Sequence, residues 1–267
     1  MASSTLTVDD EILAIADFMG ISVEPVNRIL SEFSTQACNY TEIAIQRTNL
    51  EMITGGNGEC VRDHLLGIAD RLHAPIAMME AFERMAAAFP RCFFGIKAGV
   101  RSGRPSPSLY IRLLQPMNDV LDFLARIPAF EVGCGLPALK NKLARAKTMY
   151  GLAFFSHAGT LGVKTYTLAH VLEKPGNGLQ GTALGFISHR MNQHGLHAAT
   201  KYYLPDVNLR RVSFLDADWE RLLGFLRSEL GYQTAGHLAW SLTDGEPTDY
   251  KFYFERIGAI ATDFSQR

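Results

Sequence analysis

GLAFFSHAGTLGVKTYTLAHV, residues 151–171, is the stretch that decides the fold. Bulky apolar and β-branched residues fill it, and Gly159 and Gly162 punctuate it, so it reads as two strands with a connection between them. Alternate side chains of a strand share a face. Lys164 and Tyr166 therefore point one way, with Val163 and Thr165 on the other side.

The same spacing returns on both sides of this stretch. AATKYYL carries Lys201 and Tyr203, and DYKFYFERI carries Lys251 and Tyr253. Upstream, RCFFGIKAGVR and SLYIRLLQP flank a turn-like SGRPSP and align Lys97, Arg101, Tyr110 and Arg112 on one face. AATKYYL and LRRVSFL read as a further strand pair around Pro205-Asp206-Val207-Asn208, and GHLAWSLTDGEPTDYKFYFERIG as the last. The earliest strand signal is CNYTEIAIQRTNLEM, with Ile43 and Ile45 on one face and Glu42, Ala44 and Gln46 on the other. Gly55-Gly56-Asn57-Gly58 reads as a loop after it.

Helical periods separate the pairs. One runs from Asp9 and Asp10, as caps, through Ile12, Ile15 and Ala16, and a second from Pro25 to Phe33. Others cover 60–88 with a break near Pro75, then MNDVLDFLARI, LPALKNKLARAKTMY and TALGFISHRMNQ. DADWERLLGFLRSELG is the clearest, with Asp216 or Asp218 as cap and Gly231 as stop.

Helix followed by hairpin, about five times over, does not suit a parallel doubly wound sheet. It suits an α/β barrel of about ten antiparallel strands with helices outside and a lumen within. An open α+β sheet with helices on one face is the structural rival. Residues 1–267 are expected to form one domain. With 47% hydrophobic residues there is ample material for a core, and a net charge of −1 gives no field that would gather nucleic acid or an acidic membrane. The start has no basic region of a signal peptide, and no apolar run approaches the ~18 residues that span a bilayer. Cys38, Cys60, Cys92 and Cys134 are too scattered for a zinc knuckle or a disulfide scaffold and read as reduced thiols of a cytoplasmic protein.

Outer helices claim the apolar face of each strand, so the cations and phenols turn inward. Like charges confined together require an anion. Diphosphate fits: Arg112 would fork two of its oxygens, the lysines would act as point charges, and the tyrosines would donate hydrogen bonds or shield an adjacent carbocation.

Five segments, IKAGVRSGRPSPSLYIRL, YGLAFFSHAGTLGVKTYTL, ATKYYLPDVNLRRVSFL, DYKFYFERI and the early TEIAIQR, resemble the ABBA-type aromatic prenyltransferases, most of all those of the cyanobactin pathways. The resemblance spans about 38–256. It implies an ABBA prenyltransferase (PT) barrel and transfer of a dimethylallyl (C5) group from its diphosphate to a nucleophilic side chain of a macrocyclic or linear peptide. Under it Arg112, Lys164, Lys201 and Lys251 hold the diphosphate, with Lys97 and Arg101 behind them. Tyr110, Tyr166, Tyr203 and Tyr253 shield the cation, and bulky Tyr202 and Tyr203 favour a C5 chain. Glu42 takes the acceptor's proton. The family lacks an Asp-rich metal motif, as does this chain. No protein-held metal or organic cofactor is expected, although magnesium can accompany the diphosphate. Two alternatives differ from this: a non-catalytic barrel carrying an anionic lipid or nucleotide, and a prenyltransferase of small aromatic molecules.

Some features read as decoys. His189, His194 and His197 lack zinc spacing, Gly55–Gly58 lacks a P-loop's Lys-Ser/Thr, and Ser156-His157 has no nucleophile elbow. Trp219 is the residue an RNA-stacking surface would use.

Overall fold

A computed structural model of the protein describes residues 7–33, 38, 40–101, 103–131, 133–171, 183–212, 215–243 and 246–257. Ten long strands make the barrel: β1 (Tyr40–Gln46), β2 (Asn49–Asn57), β3 (Phe93–Arg101), β4 (Arg104–Pro116), β5 (Thr148–His157), β6 (Thr160–Val171), β7 (Ala183–Asn192), β9 (Lys201–Asn208), β10 (Thr234–Thr243) and β11 (Glu246–Ile257). A two-residue strand, β8 (Gly195–Leu196), rides on β7. Every long strand lies antiparallel to the next long strand in the chain, β6 pairs with β7, and β11 returns to pair with β1. The sheet is thereby closed, which removes the exposed edges an open sheet would carry.

The alternation seen in the sequence sorts the strands' two faces. Ile43, Ile45, Met52, Phe94, Ile96, Ile111, Phe154, Val163, Leu238, Trp240, Phe252 and Phe254 face outward and are buried. They pack against helices α1 (Val8–Phe18), α2 (Val23–Phe33), α3 (Glu59–Arg71), α4 (Ile76–Ala88), α5 (Met117–Leu124), α6 (Pro128–Glu131), α7 (Gly135–Lys142) and α8 (Ala217–Ser228) in one continuous core. A second, smaller cluster of Ala44, Tyr203, Ala239 and Tyr253 lies inside the barrel.

Several expectations change. The 182–193 stretch, read as a helix, is strand β7: Ser188 pairs with Tyr166 and with Lys201, supplying the strand between β6 and β9. LRRVSFL is no strand. β9 runs straight through Pro205 and Asp206, and Leu209–Arg211 is a 3₁₀ turn that leads to α8. Pro205 lies past Tyr203, the last β9 residue paired with β7. Gly55 and Gly56 belong to β2 and not to a loop. A Cβ at Gly55 would lie 2.3 Å from the Phe94 carbonyl oxygen and 2.7 Å from the Phe93 ring, so glycine is there for close approach. Thr7, not Asp9 or Asp10, caps α1; Asp10 closes the capping box from the third position. Asp216 caps α8, while Asp218 pairs with Arg47. Tyr202 faces outward and stacks on Trp240, so it does not narrow the lumen. Trp219 is buried against Phe252 and offers no stacking surface to RNA. No helix among the described residues is long and apolar enough to cross a membrane.

Candidate active site

The tight hairpin turns all lie at one end of the barrel, and the helical connections at the other. Lysines collect at the hairpin end. Lys97, Lys164, Lys201 and Lys251 point inward from β3, β6, β9 and β11, and the last three are almost completely buried. Glu51 of β2 joins them, 3.0 Å from Lys97 Nζ and also ion-paired with Lys251. Lys201 Nζ pairs with Asp249 at 2.7 Å.

Lys164 differs, since no carboxylate meets it among the described residues. Its Nζ donates to the Tyr203 hydroxyl and sits 4.8 Å from the Tyr166 ring centre and 5.1 Å from that of Tyr203. Directly opposite it in the sheet is another cation, Arg190 of β7, whose guanidinium lies over the Phe155 ring at 5.7 Å. Burial pushes the Lys164 pKa well below the usual lysine range, and Arg190 and the other three lysines push the same way. Lys251 is lowered to about 7, first by burial and then by Lys97 and Lys201, against the pull of Glu51. For Glu51 burial works upward, but Lys251 and Lys97 overcome it and hold the carboxyl well below the usual range.

Tyrosines form a belt across the middle. Tyr110, Tyr166, Tyr203 and Tyr253 follow one another with ring centres 5.7, 5.8 and 6.0 Å apart. Burial raises the phenol pKa values, to about 12 for Tyr110 and Tyr203, so all four stay neutral hydrogen-bond donors. Phe93 and Tyr40 extend the belt toward the helix end.

Beyond the belt lies the second titratable group. Glu42 of β1 is directly opposite Glu255 of β11, and their oxygens and a His237 ring nitrogen all lie within 4.8 Å of one another. Burial, and then the Glu255 charge, push Glu42 up to about 8; a hydrogen bond with Tyr40 and the charges of Arg112 and Lys251 pull the other way. Burial lowers His237 to about 4, so its ring is neutral. Arg112 is here too, its guanidinium 5.2 Å from the Phe93 ring and 5.5 Å from that of Tyr150. Burial works against its charge, yet the Tyr110, Tyr150 and Tyr40 phenols raise its pKa overall.

Of the residues expected to hold diphosphate, four lysines are thus brought together and Arg112 is placed past the tyrosine belt, beside Glu42. The side chain of Arg101 lies outside the described residues. Sequence reading missed Arg190, which belonged to the segment taken for a helix, along with His237 and the Tyr150–Phe186 ring pair, 4.4 Å apart. Strand phase alone marks Glu51, Arg190 and His237 as inward. His189 faces outward, buried, and His194 follows β7 in the turn before β8.

A closed antiparallel barrel of ten long strands ringed by helices is the ABBA prenyltransferase architecture. Among solved structures the protein matches AnaPT from Neosartorya fischeri with a TM-score of 0.62 over 96% of each chain, at 13% identity. No family profile and no curated protein matches the sequence.

Proposed function

We propose that the protein is a prenyltransferase that moves a dimethylallyl group from its diphosphate to a nucleophilic side chain of a peptide, as the cyanobactin-like motifs suggest. One observation carries this reading. Lys164 and Arg190 form a like-charged pair without a carboxylate among the described residues, in a lumen whose tyrosines lead to a carboxylate of raised pKa. Two cations directly opposite each other repel unless an anion joins them.

With the diphosphate at the hairpin end, the donor's C1–O bond ionises and its electron pair leaves on the diphosphate. The surrounding ammonium and guanidinium groups stabilise that charge. Tyr110, Tyr166, Tyr203 and Tyr253 turn ring faces toward the allyl cation and keep water away. The acceptor atom attacks C1, and its proton passes to Glu42, whose raised pKa makes the ionised carboxylate a strong proton acceptor. Exposed Leu168, paired with Phe186 at the helix end, supports a mouth for a bulky acceptor. The carboxylates at the lysine end are already ion-paired with lysines, which does not suit a protein-held magnesium ion.

Incubation with dimethylallyl diphosphate and cyclic or linear peptides containing Tyr, Trp, His or Arg tests this by mass. A gain of one C5 unit on a peptide is expected. Gain only on small aromatic molecules would replace the peptide acceptor, and return of the donor unchanged would make the barrel a carrier.

A further inference from the structure

Among the described residues the lumen's hairpin end includes the cations Lys97, Lys164, Lys201 and Lys251, with exposed Arg190 at its rim, and the carboxylates Glu51 and Asp249, and the two signs are not evenly spread. Glu51 is bonded to Lys97 on one neighbouring strand of the barrel wall and to Lys251 farther round, reaching across β1. Its second oxygen accepts from Asn49 Nδ2 at 3.2 Å. Asp249 is half-exposed at the rim and is shared between Lys201 and Gln46. The surplus of positive charge therefore lies on the Lys164–Arg190 side.

We infer that Glu51 is a positioning residue of this lumen, a built-in counter-anion that occupies the Lys97–Lys251 half and directs an incoming diphosphate to Lys164, Arg190 and Lys201. The inference rests on the donor-binding reading above. In the free protein Glu51 neutralises a pair of cations that would otherwise repel, and it pulls the Lys251 pKa part of the way back up, to about 7, against the burial that favours the neutral amine. The groups that face Glu51 are Lys97 from β3, Lys251 and Tyr253 from β11, Tyr166 from β6, and Lys201 and Tyr203 from β9. No second carboxylate is ion-paired with Lys251 among the described residues. Without Glu51 the Lys251 amine has to gain its proton when the anion arrives, and binding acquires a proton.

Calorimetry with inorganic pyrophosphate, in buffers of different ionisation enthalpy, reads this directly. Glu51→Gln is expected to take up as much as about one more proton than the wild type at pH 6, below the wild-type Lys251 value of about 7, and its affinity to fall as much as about tenfold more per pH unit between pH 5 and 7. Glu51→Asp should restore part of the wild-type slope. A purely structural role for Glu51 would lower the melting temperature and leave the slope unmoved, and that result overturns the inference. Should Glu51→Gln fail to fold, lysine variants decide. Lys164→Met and Arg190→Met are expected to weaken pyrophosphate by about 100-fold, and Lys97→Met by less than tenfold, because Lys97 already has its anion. Equal losses at all three refute the division. If the wild type binds no pyrophosphate between pH 6 and 9, the donor-site reading itself falls; if it binds with identical protonation in Glu51→Gln, only the role of Glu51 does.

Discussion

Lys164→Met separates what the lumen does for stability from what it does for binding. The lysine is 4% exposed, has no carboxylate partner among the described residues and faces Arg190 across the sheet. Replacing a buried charge by an apolar group of similar shape is worth about 1–4 kcal/mol. The lost hydrogen bond to Tyr203 takes back about 1 kcal/mol, and a thioether packs well against the Tyr166 and Tyr203 rings. The net gain is about 0–3 kcal/mol, or up to about 10 °C in melting temperature for a domain of this size. The sign has a pH signature. The folded pKa of Lys164 lies below the unfolded value near ~10.4, so the unfolded chain binds the extra proton. The native state then loses stability as pH falls through that window, and the cost is complete below the folded pKa. The advantage of methionine must grow from about pH 10 downward. Thermal melts of both proteins with and without pyrophosphate measure it: the variant should melt higher and gain little from the anion. A variant that melts below the wild type, or that pyrophosphate protects equally, refutes the reasoning that this lysine is kept for an anion.

Glu42→Gln should cut turnover by about 10²–10³ while pyrophosphate affinity stays within twofold, as single-turnover mass measurements and calorimetry will show. The group's raised pKa, about 8, sets two pH effects. At saturating donor the rate should climb about tenfold per pH unit below pH 8, and Glu255→Gln should move that limb to lower pH by removing the charge that raises Glu42. In stability the sign is opposite: the folded state holds the proton more tightly, so stability present below the unfolded pKa near ~4.3 is lost as pH rises through 8. Glu42→Gln should flatten that fall in denaturant titrations. Gly55→Ala should cost about 2–4 kcal/mol by chemical denaturation, because backbone rather than a movable side chain fills the space.

The sequence made the barrel legible wherever its strands alternate strictly. Val163-Lys164-Thr165-Tyr166 shows which residues share the lumen before any fold is known. It also held a sharper message than residue type alone. β4, β6, β9 and β11 run in the same direction, so a cation two residues before a tyrosine and one two residues after it lie at opposite ends of the belt. Lys164, Lys201 and Lys251 precede their tyrosines, and Arg112 follows Tyr110. With about 3.3 Å of rise per residue, that order moves a guanidinium more than 10 Å away from the lysines. Residues 182–193 were opaque for another reason. Ser188, His189 and Arg190 are polar on both faces, so the period of two vanishes, and Arg190 vanished with it. The pairing of Glu51 depends on the two-residue turn at Arg47-Thr48, which fixes the register of β1 on β2. The glycines at 55 and 56 resemble a loop because their reason, the ring and carbonyl pressed against them, comes from a strand about 40 residues later.

The pairing of β1 with β11 joins residues more than 200 positions apart in the chain. Contacts so distant come late, because the intervening chain must be ordered first. That seam sets Glu42 beside Glu255 and carries Lys251 to Glu51, so both ends of the lumen become complete in the same event. A chain with every other hairpin formed would still have two bare strand edges and neither charge cluster complete. The Glu51–Lys251 ion pair is therefore a readout of closure: a probe of that pair distinguishes the sealed barrel from its nearly folded precursor.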